Sequence, residues 1–313
     1  MRMSRIGACA LALMVAACGG TDVAEIQTDE AGGTLQLPLT SAGPEGKTYK
    51  LVGASFEITG PQTVSLTDTS ADMLTVPLTV GTYAIQLGGT YHLENANAPG
   101  TTVPAQLISP TTLTFDVTKD TATQVRFQFK LAGSGTADVG FSVDKGGYLS
   151  GTFHVAEVNA PPEGDSPFRS LMGKDVPFTI SYSTATFTKG GYKELLVQTG
   201  PITVQFGGPD SAGLTRQVAP AFNGRLLSFS LRAEPDGRVR FLGLQLASSP
   251  DQNFMLWVAP SQPFTAPLDT EGYPLPRPFA FSTFESPGSA RLSGPPAYGD
   301  ARGWLTGGKG SPN

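Results

Sequence analysis

His92 and His154 are the only histidines in 313 residues. A Ser-His-Asp relay or a multi-histidine metal site therefore has almost no raw material. His92 and Glu94 stand two residues apart on one strand face and could share a metal weakly. A third ligand is missing, so a polar strand face is the reading adopted. Ser142-Val143-Asp144-Lys145 has the spacing of a Ser-x-x-Lys pair, which needs one helical turn to bring amine to hydroxyl. Here the tetrad runs off a strand into Gly146-Gly147, where residues three apart point to opposite faces, so the match is coincidental. Asp68 with Asp72, and Asp116 with Asp120, flank turns without the dense oxygen array of a calcium loop. Phosphate loops, dinucleotide fingerprints, Gly-x-Ser-x-Gly elbows and His-Glu-x-x-His are absent from the sequence. Paired carboxylates leave no trace in linear spacing, so a carboxylate-dependent hydrolase of polysaccharide or peptidoglycan is the alternative class.

The one local conflict of charge is a set of arginines. Glu234-Pro235-Asp236-Gly237 places Pro second and Gly where positive φ is needed, which predicts a type I turn with a glycine bulge. In that register Leu227, Phe229, Leu231 and Ala233 point inward with Val239 and Phe241, and Arg232 faces Arg240. Directly opposed like charges destabilise a strand pair unless an acid intervenes, and Glu234 is at hand. The bland expectation is a solvated face. The sharper one is that Arg225, Arg232, Arg238 and Arg240 form a ligand-binding set for a lipid phosphate or an acidic saccharide.

Two cysteines complete the reactive inventory. Arg2 and Arg5 are followed by the apolar stretch from Ile6 to Met14, and Val15-Ala16-Ala17 then leads into Cys18. The apolar stretch is far shorter than the roughly 20 residues of a spanning helix. Val15-Ala16-Ala17-Cys18 resembles the lipobox of bacterial lipoproteins. That resemblance implies diacylglycerol on the Cys18 thiol, cleavage before Cys18, acylation of the new amine, and thus a membrane partner reached through lipid. Several acyl chains at one residue exceed what stable anchoring requires. Cys9 falls within the removed segment, leaving no second thiol for a disulfide or a metal cluster. Gly19 stands where Asp retains enteric lipoproteins at the inner membrane, so the resemblance favours the outer membrane.

The elements follow from period-two alternation. Leu35, Leu37 and Leu39 form one inward set, and Leu74, Val76, Leu78 and Val80 another. Further sets are Tyr83, Ile85 and Leu87; Leu113, Phe115 and Val117; and Val125, Phe127, Phe129 and Leu131. Leu78-Thr79-Val80-Gly81-Thr82-Tyr83-Ala84-Ile85-Gln86-Leu87 resembles the strand-turn-strand of prealbumin-like and carboxypeptidase regulatory-like modules. The resemblance implies a non-catalytic β-sandwich that spaces domains or binds protein or carbohydrate. The expected order is a signal segment at 1–17, a tether at 18–33, a β-sandwich at 34–132, a second β-rich domain at 137–292 and a disordered tail at 293–313. The fold class is thus all-β: two antiparallel sandwich-like domains in tandem.

Composition agrees with this order. Thirty-eight Gly and 26 Pro make up about a fifth of the chain and suit tight turns. A net charge of −5 gives no electrostatic reason to bind nucleic acid. No cofactor is implied. The expectation is a lipid-anchored, non-catalytic envelope protein with a structural or binding role, its partner a protein or saccharide. Its chemistry would lie in loops, with Gly207–Gly213 and the Pro-rich stretch from Ala259 as candidates.

Overall fold

The computed structural model describes residues 32–42, 47–131, 136–139, 143–144 and 146–312. Strand accounts for 56% of the chain, so the protein is all-β. The first region contains β1 (Gly32–Pro38), β2 (Thr40–Ala42), β3 (Thr48–Thr59), β4 (Val64–Leu66) and β5 (Met73–Thr79). It continues through β6 (Gly81–Asn95), β7 (Thr102–Val103), β8 (Ala105–Leu107), β9 (Thr112–Val117) and β10 (Ala122–Gln124). β11 (Phe127–Leu131), β12 (Thr136–Val139) and β13 (Val143–Asp144) close it. These strands form three small sheets curled into a half-barrel around one core. β1 runs antiparallel to β5 but parallel to β10, so the region is not wholly antiparallel as expected.

Leu35, Leu37 and Leu39 are fully buried, as their alternation requires. Gly81 lies where a Cβ would meet Pro61 Cγ at 2.5 Å, and the turn it permits returns Tyr83 to the interior. There the ring stacks on Phe115 at 5.6 Å and the phenol meets Thr79 Oγ1 at 3.0 Å.

The second region contains β14 (Tyr148–Asn159), β15 (Asp175–Tyr182), β16 (Ala185–Lys189), β17 (Glu194–Phe206) and β18 (Leu226–Ala233). It ends with β19 (Val239–Ala247), β20 (Met255–Val258), β21 (Phe279–Phe281), β22 (Ala290–Ser293) and β23 (Asp300–Ser311). The order β14-β15-β17-β18-β19-β20-β22-β23 closes on itself, because β23 also pairs with β14 from Tyr148↔Ser311 to Asn159↔Asp300. The result is an eight-stranded ring, a barrel rather than two stacked sheets. β16 extends β15 along the first half of β17, and β21 sits beside the last residues of β23. A ring of eight strands is just wide enough for side chains to fill. Phe241 is fully buried in this core, with Phe229 at 5.8 Å and Phe281 at 4.7 Å between ring centroids. Leu214, Val218 and Phe222, from the helical stretch ending in α1 (Ala219–Phe222), join the same buried cluster.

Two sequence expectations are corrected here. Residues 293–313 are not a disordered tail: β23 is a twelve-residue strand between β14 on one side and β21 and β22 on the other. Its glycines allow close packing, since a Cβ on Gly303 would lie 1.7 Å from the His154 carbonyl oxygen. A Cβ on Gly310 would lie 2.4 Å from the Phe279 ring. The break at 132–137 is not the boundary either. β12 pairs with β11 and β13 with β12, and the second core starts only at Leu149. Residues 31–313 form one compact unit holding both cores.

Polar side chains join the cores. Thr114 Oγ1 lies 3.0 Å from both Ser211 Oγ and Thr215 Oγ1. Thr179 Oγ1 donates to the Ile108 carbonyl at 2.6 Å, and Gln128 Nε2 donates to Ser181 Oγ at 3.0 Å.

Candidate functional site

Three turns meet at one end of the second region. The first joins β16 to β17 through Gly190-Gly191-Tyr192-Lys193. The second is the β18–β19 hairpin, where the Gly237 amide donates to Glu234 O at 3.0 Å and Glu234 N to Arg238 O at 2.8 Å. Gly237 has φ +81°, the value that the expected glycine bulge demands. The third lies in the Pro-rich stretch and repeats the same device, with Gly272 N to Asp269 O at 3.0 Å and Asp269 N to Tyr273 O at 2.8 Å. Asp269 Oδ1 fixes this turn by accepting from the amides of Glu271 and Tyr273, both at 2.9 Å.

Ion pairs lock the turns together. Lys189 Nζ reaches Asp269 at 2.8 Å and Glu271 at 2.9 Å. These bonds hold Lys189 above the ordinary lysine value and keep the Asp269 carboxyl below the usual carboxylate range. Two cations lie over the Tyr273 ring, Lys189 Nζ at 4.9 Å and Lys193 Nζ at 4.7 Å from its centroid.

Between the turns lies a cleft of about 600 Å³, bounded by Tyr192, Lys193, Arg232, Glu234, Pro235 and Leu268. Tyr192 and Lys193 both have left-handed backbone, φ +53° and +57°. Neither is glycine, and two such residues in succession are costly. The conformation aims the Tyr192 ring outward, where it is 90% exposed. The cleft is therefore lined by an aromatic plate and by a polar cluster. Glu234 Oε1 accepts from Arg240 Nε at 3.0 Å and Arg232 Nη2 at 3.3 Å. Such a cleft, part apolar with a few fixed donors and acceptors, is suited to holding a small ligand.

The expected arginine set divides. Arg232 does face Arg240, and Glu234 bridges them as the register suggested. Arg232 lines the cleft, whereas Arg238 is drawn aside by Asp236 at 2.7 Å. Arg225 sits at the other end of β18 from Arg232, roughly 20 Å away at the rise of a strand, and joins no common site. The four therefore do not gather, because β18 spaces the first from the others and each of the rest has a local carboxylate. Cys18 lies outside the described residues, as do the side chains of Ser142 and Lys145.

His92 Nε2 meets Glu94 Oε1 at 2.8 Å, and a bond from the Gly100 amide, with help from His92, holds the Glu94 carboxyl low. His154 Nδ1 lies 2.7 Å from Asp175 while its ring packs on Trp304 at 4.3 Å, in the other region from His92. Among the described residues, no three His, Cys, Asp or Glu side chains converge to hold a metal ion. Asp68, Glu94, Asp236 and Asp269 all sit below the ordinary carboxylate value through hydrogen bonds they accept. That is the opposite of the raised acid that a glycoside-cleaving pair uses. The Gly207–Gly213 loop is corrected as a candidate. Gly207 bridges to Leu113 and Ser211 is fully buried against Thr114, so the loop serves the joint between cores.

Linear reasoning reached the Pro-rich stretch and Arg232 but missed Tyr192, Lys193 and Tyr273. The available signal was Gly190-Gly191 between two alternating strands, followed at once by an aromatic and a base. Comparison of the chain with family models, with curated proteins and with solved structures returns no match in any of the three.

Proposed function

We propose that this chain is a lipid-anchored binding protein of the bacterial envelope, held at the outer membrane through Cys18, with the three-turn cleft as its recognition surface. The lipobox-like Val15-Ala16-Ala17-Cys18 supports the anchor. One observation carries the binding role: Tyr192 and Lys193 stay in left-handed backbone and hold an exposed ring over a cleft. Such strain tends to persist where it serves recognition. No helix among the described residues is long and apolar enough to cross a membrane.

Two measurements test the reading. Mass spectrometry of the mature N-terminus should find acylated Cys18, and Cys18→Ser should move the protein from the membrane fraction to the soluble one. A bare thiol on a freely secreted chain would refute the anchor. A screen of envelope glycans and proteins should yield a ligand that folded Tyr192→Ala no longer retains. Equal retention by that variant would refute the cleft as the recognition surface.

A further inference from the structure

We infer that the cleft takes an acidic saccharide of low charge density, with one carboxylate to each sugar unit, as in a uronate oligomer. The inference rests on the binding role proposed above and names its ligand class.

Three features select this chemistry. The Tyr192 ring is a flat apolar plate in solvent, the surface that the C–H face of a pyranose covers. Pro235 and Leu268 add apolar surface to the same cleft, so a sugar entering it loses water from its ring faces. Glu234 engages Arg232 and Arg240 through Oε1, which leaves its second oxygen to accept from a hydroxyl. The guanidinium of Arg232 donates beside it, so acceptor and donor stand together as neighbouring hydroxyls require.

Charge then separates acidic from neutral sugars. Lys189, Arg232, Arg238 and Arg240 each have a carboxylate partner. Lys193 lies over the Tyr273 ring and pairs with no carboxylate among the described residues. Lys193 lines the cleft, and its ammonium on a flexible stem can meet one carboxylate of a bound sugar. The density of charge follows from the rim as a whole. Five bases (Lys189, Lys193 and the three arginines) face five acids (Glu194, Glu234, Asp236, Asp269 and Glu271), so no excess field draws a dense polyanion. Selection is by the single local cation and the stacking plate.

The test is calorimetric titration of the detergent-solubilised full chain with oligogalacturonate, neutral dextran oligomers and heparin. Oligogalacturonate should bind more tightly than either of the others. Tyr192→Ala should weaken it about tenfold, the loss expected of an aromatic anchor. Lys193→Ala should weaken it about fivefold and Lys193→Arg should restore it, in keeping with one exposed ion pair. Raising salt to about 0.5 M should remove no more than that same factor. Heparin binding preferentially, or oligogalacturonate binding unchanged in Tyr192→Ala and Lys193→Ala, overturns the inference. A neutral glycan or a peptide retained through Tyr192 in place of uronate overturns it too, while leaving the binding role standing. No ligand of any class lost in Tyr192→Ala would sink both.

Discussion

Tyr192 and Lys193 each adopt a backbone that costs an L-residue roughly 1–2 kcal/mol, and a glycine in either place would not incur it. Tyr192→Gly should therefore raise the unfolding free energy by about 1 kcal/mol, since the exposed ring has little packing to lose. Urea denaturation measures this, and a destabilised variant would show that the ring has a structural task instead. Readability from sequence varied with how locally a residue's geometry is set. The Arg232–Arg240 opposition and its relief by Glu234 were legible because strand alternation and a two-hydrogen-bond turn fix both positions. The handedness at Tyr192 was not, because Gly190 and Gly191 are the residues that a turn would be expected to use for positive φ. The chain places it one step later, on side chains that dislike it.

Among the elements, β18 and β19 follow their alternation closely, while β23 escaped altogether. Gly and Ser in its sequence read as tail, yet their smallness lets the strand lie against the backbone of β14 and under the Phe279 and Phe281 rings. Only the partner strands, distant in sequence, reveal that need. Gly303→Val should cost more than about 3 kcal/mol, because the new side chain meets the His154 carbonyl with no room to yield. Gly288→Ala, whose added carbon meets nothing within 4 Å, should stay within about 0.5 kcal/mol. Thermal melts of the two variants decide this, and similar midpoints would mean that β23 is not the snug partner described. The β-class was legible for the opposite reason: period two in β1, β5 and the first half of β6 reports burial one strand at a time. Ring closure depends on which strands become neighbours, and no single period encodes it.

For the molecule as a whole, the joint between the cores is held by buried polar side chains. Lys130 of β11 donates to Ser311 of β23 there, with the Tyr148 ring 5.4 Å from its ammonium. Burial lowers the Lys130 pKa to about 8. Folding thus disfavours its protonated form, and the full penalty is present below pH 8, where both folded and unfolded chains carry the proton. Between about pH 8 and the unfolded value of 10.5 the folded state releases it first, so stability rises. After allowance for partial solvent screening the gain is roughly 1–2 kcal/mol. Chemical denaturation at pH 7 and pH 9, below the range in which unfolded tyrosines ionise, should show the onset of this rise in wild type and a flatter profile in Lys130→Met; parallel profiles would contradict it.

The pairing of β14 with β23 also bears on the order in which this molecule can be made. A ring whose first and last members are neighbours stays open until Ser311 has left the ribosome. Before that moment the nascent second half exposes unsatisfied edges and greasy faces. Any machinery that handles it during synthesis therefore meets a pliant thread, and the closed cylinder appears only once the twelve residues of β23 have been added.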